Sequence, residues 1–315
     1  RGGYVTNPDT NEEYNDRDVF SGRVALAWNP SDNVTVDWTA DYSKEDNALV
    51  LGQPLNTLTT LCGVPILVLP AEVPKFDFTA TPTPGLPNST ELTHEGTSLD
   101  IGWDISESLT LRSITAYRKL EYTDYIDIDA TVLETGDVLV DVDQDQTSQE
   151  FQVNWGSGAW NVVGGLFYMK EDIASYQEAY ADDLLTGPGG FTFLRTVDDA
   201  LENTSWAAYA NVSYALTERL NLGAGVRYTD ETKDYERSTS TFSNFPGLTQ
   251  DPAFAFTAKE TWTDTSPMVS MDFQANENVM LYGRVAQGFK SGGFNGRANN
   301  PGEQVPYDPE EVISY

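Results

Sequence analysis

MVSMDFQANENVMLYGRVAQGFKSGGF, Met268–Phe294, reads as two long strands joined by the short polar turn Asn276–Asn278. In the first strand Val269, Met271, Phe273 and Ala275 fall on one face and Ser270, Asp272 and Gln274 on the other, because successive side chains of a strand alternate. After the turn, Val279, Leu281, Val285 and Phe289 oppose Arg284, Gly288 and Lys290. A greasy face is backed by a charged one over a run well beyond the five or six residues usual for a strand of a water-soluble sandwich.

The same design recurs upstream. Val24, Leu26 and Trp28 alternate with Arg23, Ala25 and Ala27, turn at NPSDN, and return as Val34, Val36, Trp38, Ala40 and Tyr42. Leu99, Ile101, Trp103 and Ile105 lead through Ser106–Ser108 into LTLRSITAYRKLEYTDYID, whose two faces the pattern does not separate. Phe151, Val153 and Trp155 precede Gly156–Ala159 and WNVVGGLFYMK. Trp206, Ala208, Ala210, Val212, Tyr214 and Leu216 turn at Thr217–Arg219 into Leu220, Leu222, Ala224, Val226 and Tyr228. Between the hairpins lie long connections: Asp46–Thr93, rich in proline; Glu121–Asp145, with nine carboxylates and no Lys or Arg; and Glu171–Glu202.

Five short turns, near residues 31, 107, 157, 218 and 277, therefore alternate with long loops, which places all the short turns at one end of the array. Trp28, Trp103, Trp155, Trp160 and Tyr214 sit beside the short turns, where an amphipathic ring meets a membrane interface. A soluble meander has no physical reason to sort its loops by length or to set up to six apolar side chains in a row on one face. Hydrocarbon demands both, because every backbone group must be paired within a closed sheet that is apolar outside and wet inside. The expected fold is all-β, an antiparallel up-and-down transmembrane β-barrel of which about ten strands are present.

Composition agrees with this class. The 315 residues are 39% hydrophobic and 12% aromatic, and no window approaches the 18 consecutive apolar residues of a spanning helix. A formal charge of −31 argues against nucleic acid, whose phosphates need clustered Lys and Arg. Cys62 is the single cysteine, so no internal disulfide forms; it is either an unpaired loop thiol or paired beyond these residues. The chain opens at Arg1 and stops at Ser314–Tyr315 inside what reads as another strand, so residues 1–315 are expected to be a fragment of one barrel domain. With two open edges and an apolar outer face, such a half-wall is expected to need detergent or to aggregate.

SWAAYANVSYALTERLNLGAGVRYTDETKDYE, Ser205–Glu236, and Pro267–Tyr315, with LYGRVAQGFKSGGFN and YDPEEVISY, resemble the barrel of TonB-dependent outer-membrane receptors. The hairpin pattern extends that resemblance over most of the chain. The resemblance implies a barrel of about 22 strands in the outer membrane of a Gram-negative bacterium, in contact with its lipid and lipopolysaccharide. It implies a lumen closed by an N-terminal plug, and energised opening through the TonB complex. The plug and the closing C-terminal strands are not among these residues. It further implies a transporter and not an enzyme, with no cofactor, that takes up a scarce solute: a ferric siderophore first, vitamin B12 or an oligosaccharide otherwise. Two other readings stay open: a passive porin, which has no plug, and a soluble secreted adhesin or glycan binder, which would pack Trp38, Trp103 and Trp206 against a second sheet.

Candidate sites are sparse. His94 is the sole histidine, so neither a histidine-based triad nor a two-histidine zinc site can be built internally, and a loop-edge, solvated position is expected for it. Gly288, Gly292, Gly293 and Gly296 surround Lys290 without the order of a phosphate-binding loop, and read as glycines easing a strand into its loop. Asp141, Asp143 and Asp145 place alternate carboxylates on one face, either a weak Ca²⁺ site or a solvated acidic loop that shares divalent cations with lipopolysaccharide. Arg227 and Arg284 lie on the polar faces of clean strands, hence in the lumen, where they would meet an anionic ligand, acidic groups of the plug, or the wall itself.

Overall fold

The computed structural model describes residues 1–52, 77–183, 192–243, 254–298 and 300–315, together with the backbone of 60–61 and 64–65. Cys62 lies outside them. Eleven strands form one antiparallel sheet: β1 (Val19–Ser31), β2 (Val34–Asn47), β3 (Thr90–Ser106), β4 (Leu109–Ile126), β5 (Asp137–Ser157), β6 (Trp160–Tyr180), β7 (Phe193–Thr217), β8 (Leu220–Ser243), β9 (Phe254–Asn276), β10 (Val279–Lys290) and β11 (Glu310–Ser314). Each strand is bonded only to its neighbours in sequence, and the two edge strands, β1 and β11, are not paired with one another.

Register fixes the two faces. Val34, Trp103, Leu111, Val153, Gly164, Ala210, Val226 and Pro267 stand opposite one another in turn across eight strands, so the apolar residues merge into one continuous surface. The same ladder resolves the ambiguous segment of β4: Leu111 and Tyr117 share the apolar face with Trp103, and Arg112 and Arg118 take the other. Among the described residues nothing covers the apolar face. Trp38, Trp103 and Trp206 are 37%, 49% and 45% exposed, which removes the soluble reading's second sheet.

A second aromatic girdle accompanies the one at the short turns. Phe20, Tyr42, Tyr117, Tyr168, Trp206 and Tyr228 are exposed on the same face, with Trp206 and Tyr228 ring centroids 5.3 Å apart. On β6 the two girdles are Trp160 and Tyr168, about 27 Å apart along the strand and about 20 Å along a membrane normal at ~40° tilt. That separation is somewhat less than the ~25 Å apolar band of an outer-membrane wall.

All five short turns are two-residue connections. Four carry a one-residue bulge just before the turn, between Trp28 and Ser31, Asp104 and Ser106, Ala215 and Thr217, and Gln274 and Asn276. The fifth, Ser157–Trp160, needs none because Gly158 adopts φ +58°, the left-handed geometry that a tight hairpin requires.

The strands run further than their alternation implies. β5 to β9 are 21, 21, 25, 24 and 23 residues long, about twice what crosses a bilayer. Two of the long connections shrink accordingly: Glu121–Asp145 and Glu171–Glu202 are largely strand, and the connection between β2 and β3 still runs over 48–89. Above the outer girdle both faces are wet, so pairing continues after the apolar–polar alternation has stopped. At that end a small core of Val5, Tyr14, Leu49, Leu51, Ala80 and Ala130 ties residues 5–14, 49–51, 80 and 130 together.

Candidate binding lumen

The polar face carries ion pairs along its length. Asp100 pairs with Arg112, and Asp41 lies 3.4 Å from Arg118 and 3.8 Å from His94, whose ring faces Arg118 at 3.2 Å. His94 is thus a lumen-facing residue of β3, not a loop residue as expected, because β3 begins four residues earlier at Thr90. Arg227 and Arg284 are not among the ion-paired arginines of the described residues. They line one concavity of about 480 Å³ together with Glu150, Tyr209, Asn211 and Ser266. Arg227 Nε donates to Thr229 Oγ1 at 3.2 Å, and its guanidinium lies 5.6 Å from the Phe167 ring and 5.8 Å from that of Tyr209. Tyr209 donates to Glu150, and Gly165 makes room for it: a Cβ there would lie 2.6 Å from the Tyr209 hydroxyl oxygen. The arrangement offers two cations, aromatic walls and hydroxyls to an incoming anionic surface.

Higher in the lumen the chain after β10 folds inward. The β9–β10 ladder stops at Met268–Ala286, beside Pro267, which has no N–H to continue it. Freed from β9, residues 291–298 lie against β8 and β9. Lys233 Nζ donates to Ser291 Oγ and to the Gly292 carbonyl, both at 2.8 Å, and pairs with Glu231 at 3.2 Å. Phe294 stacks on Tyr235 at 5.5 Å with 6° between the rings and meets Trp262 at 6.0 Å. Arg237 bonds both Asp199 oxygens at 2.7 Å and the Ala298 carbonyl at 2.9 Å. Burial and its bond to Asp199 hold the Tyr235 phenol up at about 12, so it stays a donor. Gly292 and Gly293 permit the close approach, since a Cβ on Gly292 would lie 2.6 Å from the Trp262 ring and one on Gly293 would meet the Tyr307 ring at the same distance. These glycines seat a segment on the wall, which is more than the easing of a strand into its loop. Periodicity does not reveal this fold-back; its signal is Pro267 in a strand facing a glycine pair after β10.

Asp141, Asp143 and Asp145 lie on β5, not in a loop, on the outer face above the girdle. Asp141 accepts from the Thr123 hydroxyl at 3.2 Å, Asp143 is 3.8 Å from Lys119, and Asp145 stands opposite Asp172. Among the described residues no three His, Cys, Asp or Glu side chains form a metal-holding group, and these three do not converge.

A different carboxylate is the most perturbed. Burial, reinforced by Asp127, Asp129 and Glu134, pushes Asp137 up from 3.8 to about 6, against a smaller opposing effect of Thr83. Its native value lies above its unfolded one, so the native state holds the extra proton in between. In divalent-free buffer the stability of the 127–137 loop should fall as pH rises from about 4 to about 6 and level off above. The full swing is about 3 kcal/mol at about 1.4 kcal/mol per pH unit, with Asp127 and Glu134 shifted in the same direction. Hydrogen exchange of 127–137 across that range measures it; protection that rises with pH would contradict it.

The family described as "TonB dependent receptor-like, beta-barrel" matches residues 37–315. The ferric yersiniabactin uptake receptor FyuA of Yersinia pestis superposes with a TM-score of 0.76 at 16% identity, over 99% of this chain and 44% of that one. The siderophore receptor PiuA of Acinetobacter baumannii gives 0.56 at 14% identity, over 96% and 48%. The pesticin receptor of Yersinia pestis is 26% identical over 109 residues, 35% of this chain and 15% of its own length. The chain thus spans less than half the length of these relatives.

Proposed function

The chain belongs to the TonB-dependent receptor β-barrel family, and from that premise we propose that it is the wall of a Gram-negative outer-membrane receptor that takes up a ferric siderophore. In this reading residues 1–315 are part of one barrel domain, with the plug and the closing strands supplied by the rest of the protein. The observation that carries it is the continuous apolar outer face backed by a polar lumen, where Arg227 and Arg284 share one concavity and form no ion pair among the described residues. That the similar solved structures are an uptake receptor for ferric yersiniabactin and a siderophore receptor is what suggests the cargo class. A passive porin would share the alternation, but the family match favours the gated receptor.

Arg227 and Arg284 stand seven and five residues from their short turns, low in the lumen, and in this reading they seat acidic groups of the plug. A charge-assisted bond contributes about 1.5–3 kcal/mol. Replacing both arginines by Ala in the full-length receptor, at one such bond each, should therefore weaken plug seating by about a hundred- to ten-thousandfold. Deletion of the gene should abolish growth on a cognate ferric siderophore as sole iron source, and the full-length gene should restore it. The double variant should lower uptake and admit large antibiotics that the wild type excludes. Growth of the deletion strain on every ferric siderophore offered would sink the cargo assignment; an unchanged barrier in the double variant would sink the role of the arginines.

A further inference from the structure

The lipid-facing surface carries a polar cluster where its alternation calls for apolar side chains. Ser113 and Thr115 lie on the outer face of β4 between Leu111 and Tyr117, and their register partners on β5 are Phe151 and Gln149. The three polar side chains are bonded together. Thr115 Oγ1 donates to Gln149 Oε1 at 2.6 Å, and Gln149 Nε2 donates to Ser113 Oγ at 3.0 Å and to the Glu150 carbonyl at 3.1 Å. Both amide hydrogens of Gln149 are thereby used, but one lone pair of its Oε1 and the hydroxyl hydrogen of Ser113 have no partner among the described residues. Around them the wall is apolar and exposed: Leu99, Ile101 and Leu111 on one side, Phe151 and Leu166 on the other. Thr115 stands two residues and Ser113 four residues below Tyr117 of the outer girdle, about 5 Å and about 10 Å into the membrane at ~40° tilt. Hydrocarbon offers no partner to the two open groups.

We propose that Ser113, Thr115 and Gln149 form a docking site for an outer-leaflet glycolipid of the lipid A class, recognised through the amide and hydroxyl groups that its acyl chains carry just below the sugar. A donor and an acceptor side by side match such a group: the Ser113 hydroxyl gives to an oxygen of the chain, and Gln149 Oε1 takes its N–H or O–H. The chains of an ester-linked lipid without hydroxyls offer acceptors only, and leave Gln149 Oε1 unanswered. Below the linkage, Leu111, Phe151 and Leu166 supply an apolar floor for the rest of the chain. Height agrees, because the linkages of an outer-leaflet lipid begin just beneath the interface that the outer girdle marks. Lys119 and Lys170, two residues outward of Tyr117 and Tyr168, stand at the height of the lipid's phosphates. Each already meets two carboxylates, Lys119 with Glu121 and Asp143 and Lys170 with Asp172 and Glu202, so the selectivity is assigned to the triad and not to the head group. Such a site presupposes the lipid-facing wall, and the test separates the failure of one from that of the other.

The test uses the full-length receptor in detergent, stripped of co-purified lipid. It is titrated with lipid A, and in parallel with an analogue that has the same phosphorylated disaccharide but only ester-linked, unhydroxylated chains; native mass spectrometry counts the bound lipid. Lipid A should be retained about tenfold more tightly, the net effect of about two hydrogen bonds. In Ser113→Ala/Gln149→Leu, which makes the face more apolar, the preference should fall to about twofold or less while the urea midpoint in vesicles is not lowered. Equal retention of the two lipids by wild type, or a preference that survives in the double variant, overturns the site. A co-purified protein that lipid A does not displace from this face overturns it as well. Retention of neither lipid also overturns it, and the stability of Ala210→Arg in vesicles then tells whether the lipid-facing wall fails with it. If the double variant does not fold, the two wild-type titrations decide alone: a preference for lipid A supports the site, and equal retention overturns it.

Discussion

Ala210→Arg in the full-length receptor is expected to destabilise the bilayer-inserted fold by about 2–4 kcal/mol, the cost of an arginine on the lipid face near the midplane. Ala210 is exposed and lies on the apolar face of β7, midway between Trp206 in one girdle and Tyr214 in the other. On both sides its neighbours are apolar or glycine: Gly164 on β6 and Val226 on β8. A guanidinium there has no carboxylate to meet and must snorkel about four residues to reach water. Ala200→Arg provides the matched comparison. It lies on the same strand and face, above the outer girdle, with Ala174 and Glu236 as neighbours, so the same side chain is solvated and faces an acid. Its effect should stay within about 0.5 kcal/mol. Urea unfolding from lipid vesicles, followed by tryptophan emission, reads the difference. Equal midpoints for the two variants would mean that this face does not meet lipid.

Asp199→Ala should be as damaging locally, by about 3–5 kcal/mol, because it strands a buried cation. Arg237 is 4% exposed, and its partners are Asp199 and the Ala298 carbonyl. Without Asp199 the guanidinium can escape only by releasing residues 291–298 from the wall. Exchange of 291–298 should then quicken by a hundredfold or more, about 2.8 kcal/mol at about 1.4 kcal/mol per tenfold. The double variant Asp199→Ala/Arg237→Met should recover much of the protection, since an apolar chain of similar length can be buried without a counter-charge. A segment that exchanges at the wild-type rate in Asp199→Ala would show that the pair does not hold it.

The wall itself is legible in the sequence because lipid imposes a pattern on every residue that touches it. Val24 through Tyr42 and Trp206 through Tyr228 state their faces by alternation, and the five tight turns follow from short polar breaks between such runs. Legibility ends where lipid does. From Thr232 to Ser243 and from Phe193 to Thr204 both faces are wet, so nothing in the spelling distinguishes paired strand from acidic loop, and the connections are shorter than the pattern implies. The fold-back of 291–298 and the sealed Asp137 depend on partners remote in sequence, Arg237 with Ala298 and Thr83 with Asp127, which no local periodicity records. Arg227 and Arg284 fall on the polar side as their cleanly alternating strands require; that both face one hollow follows only from the register of β8, β9 and β10.

Strictly sequential pairing has an evolutionary corollary. Since every stave is fastened only to the one before and the one after, no outer tip carries any of the information that keeps the cylinder's order. Lengthening, trimming or exchanging a tip leaves the membrane contract untouched. A lineage built this way can rewrite what it captures one hairpin at a time, and relatives with little shared spelling can still keep the same wall.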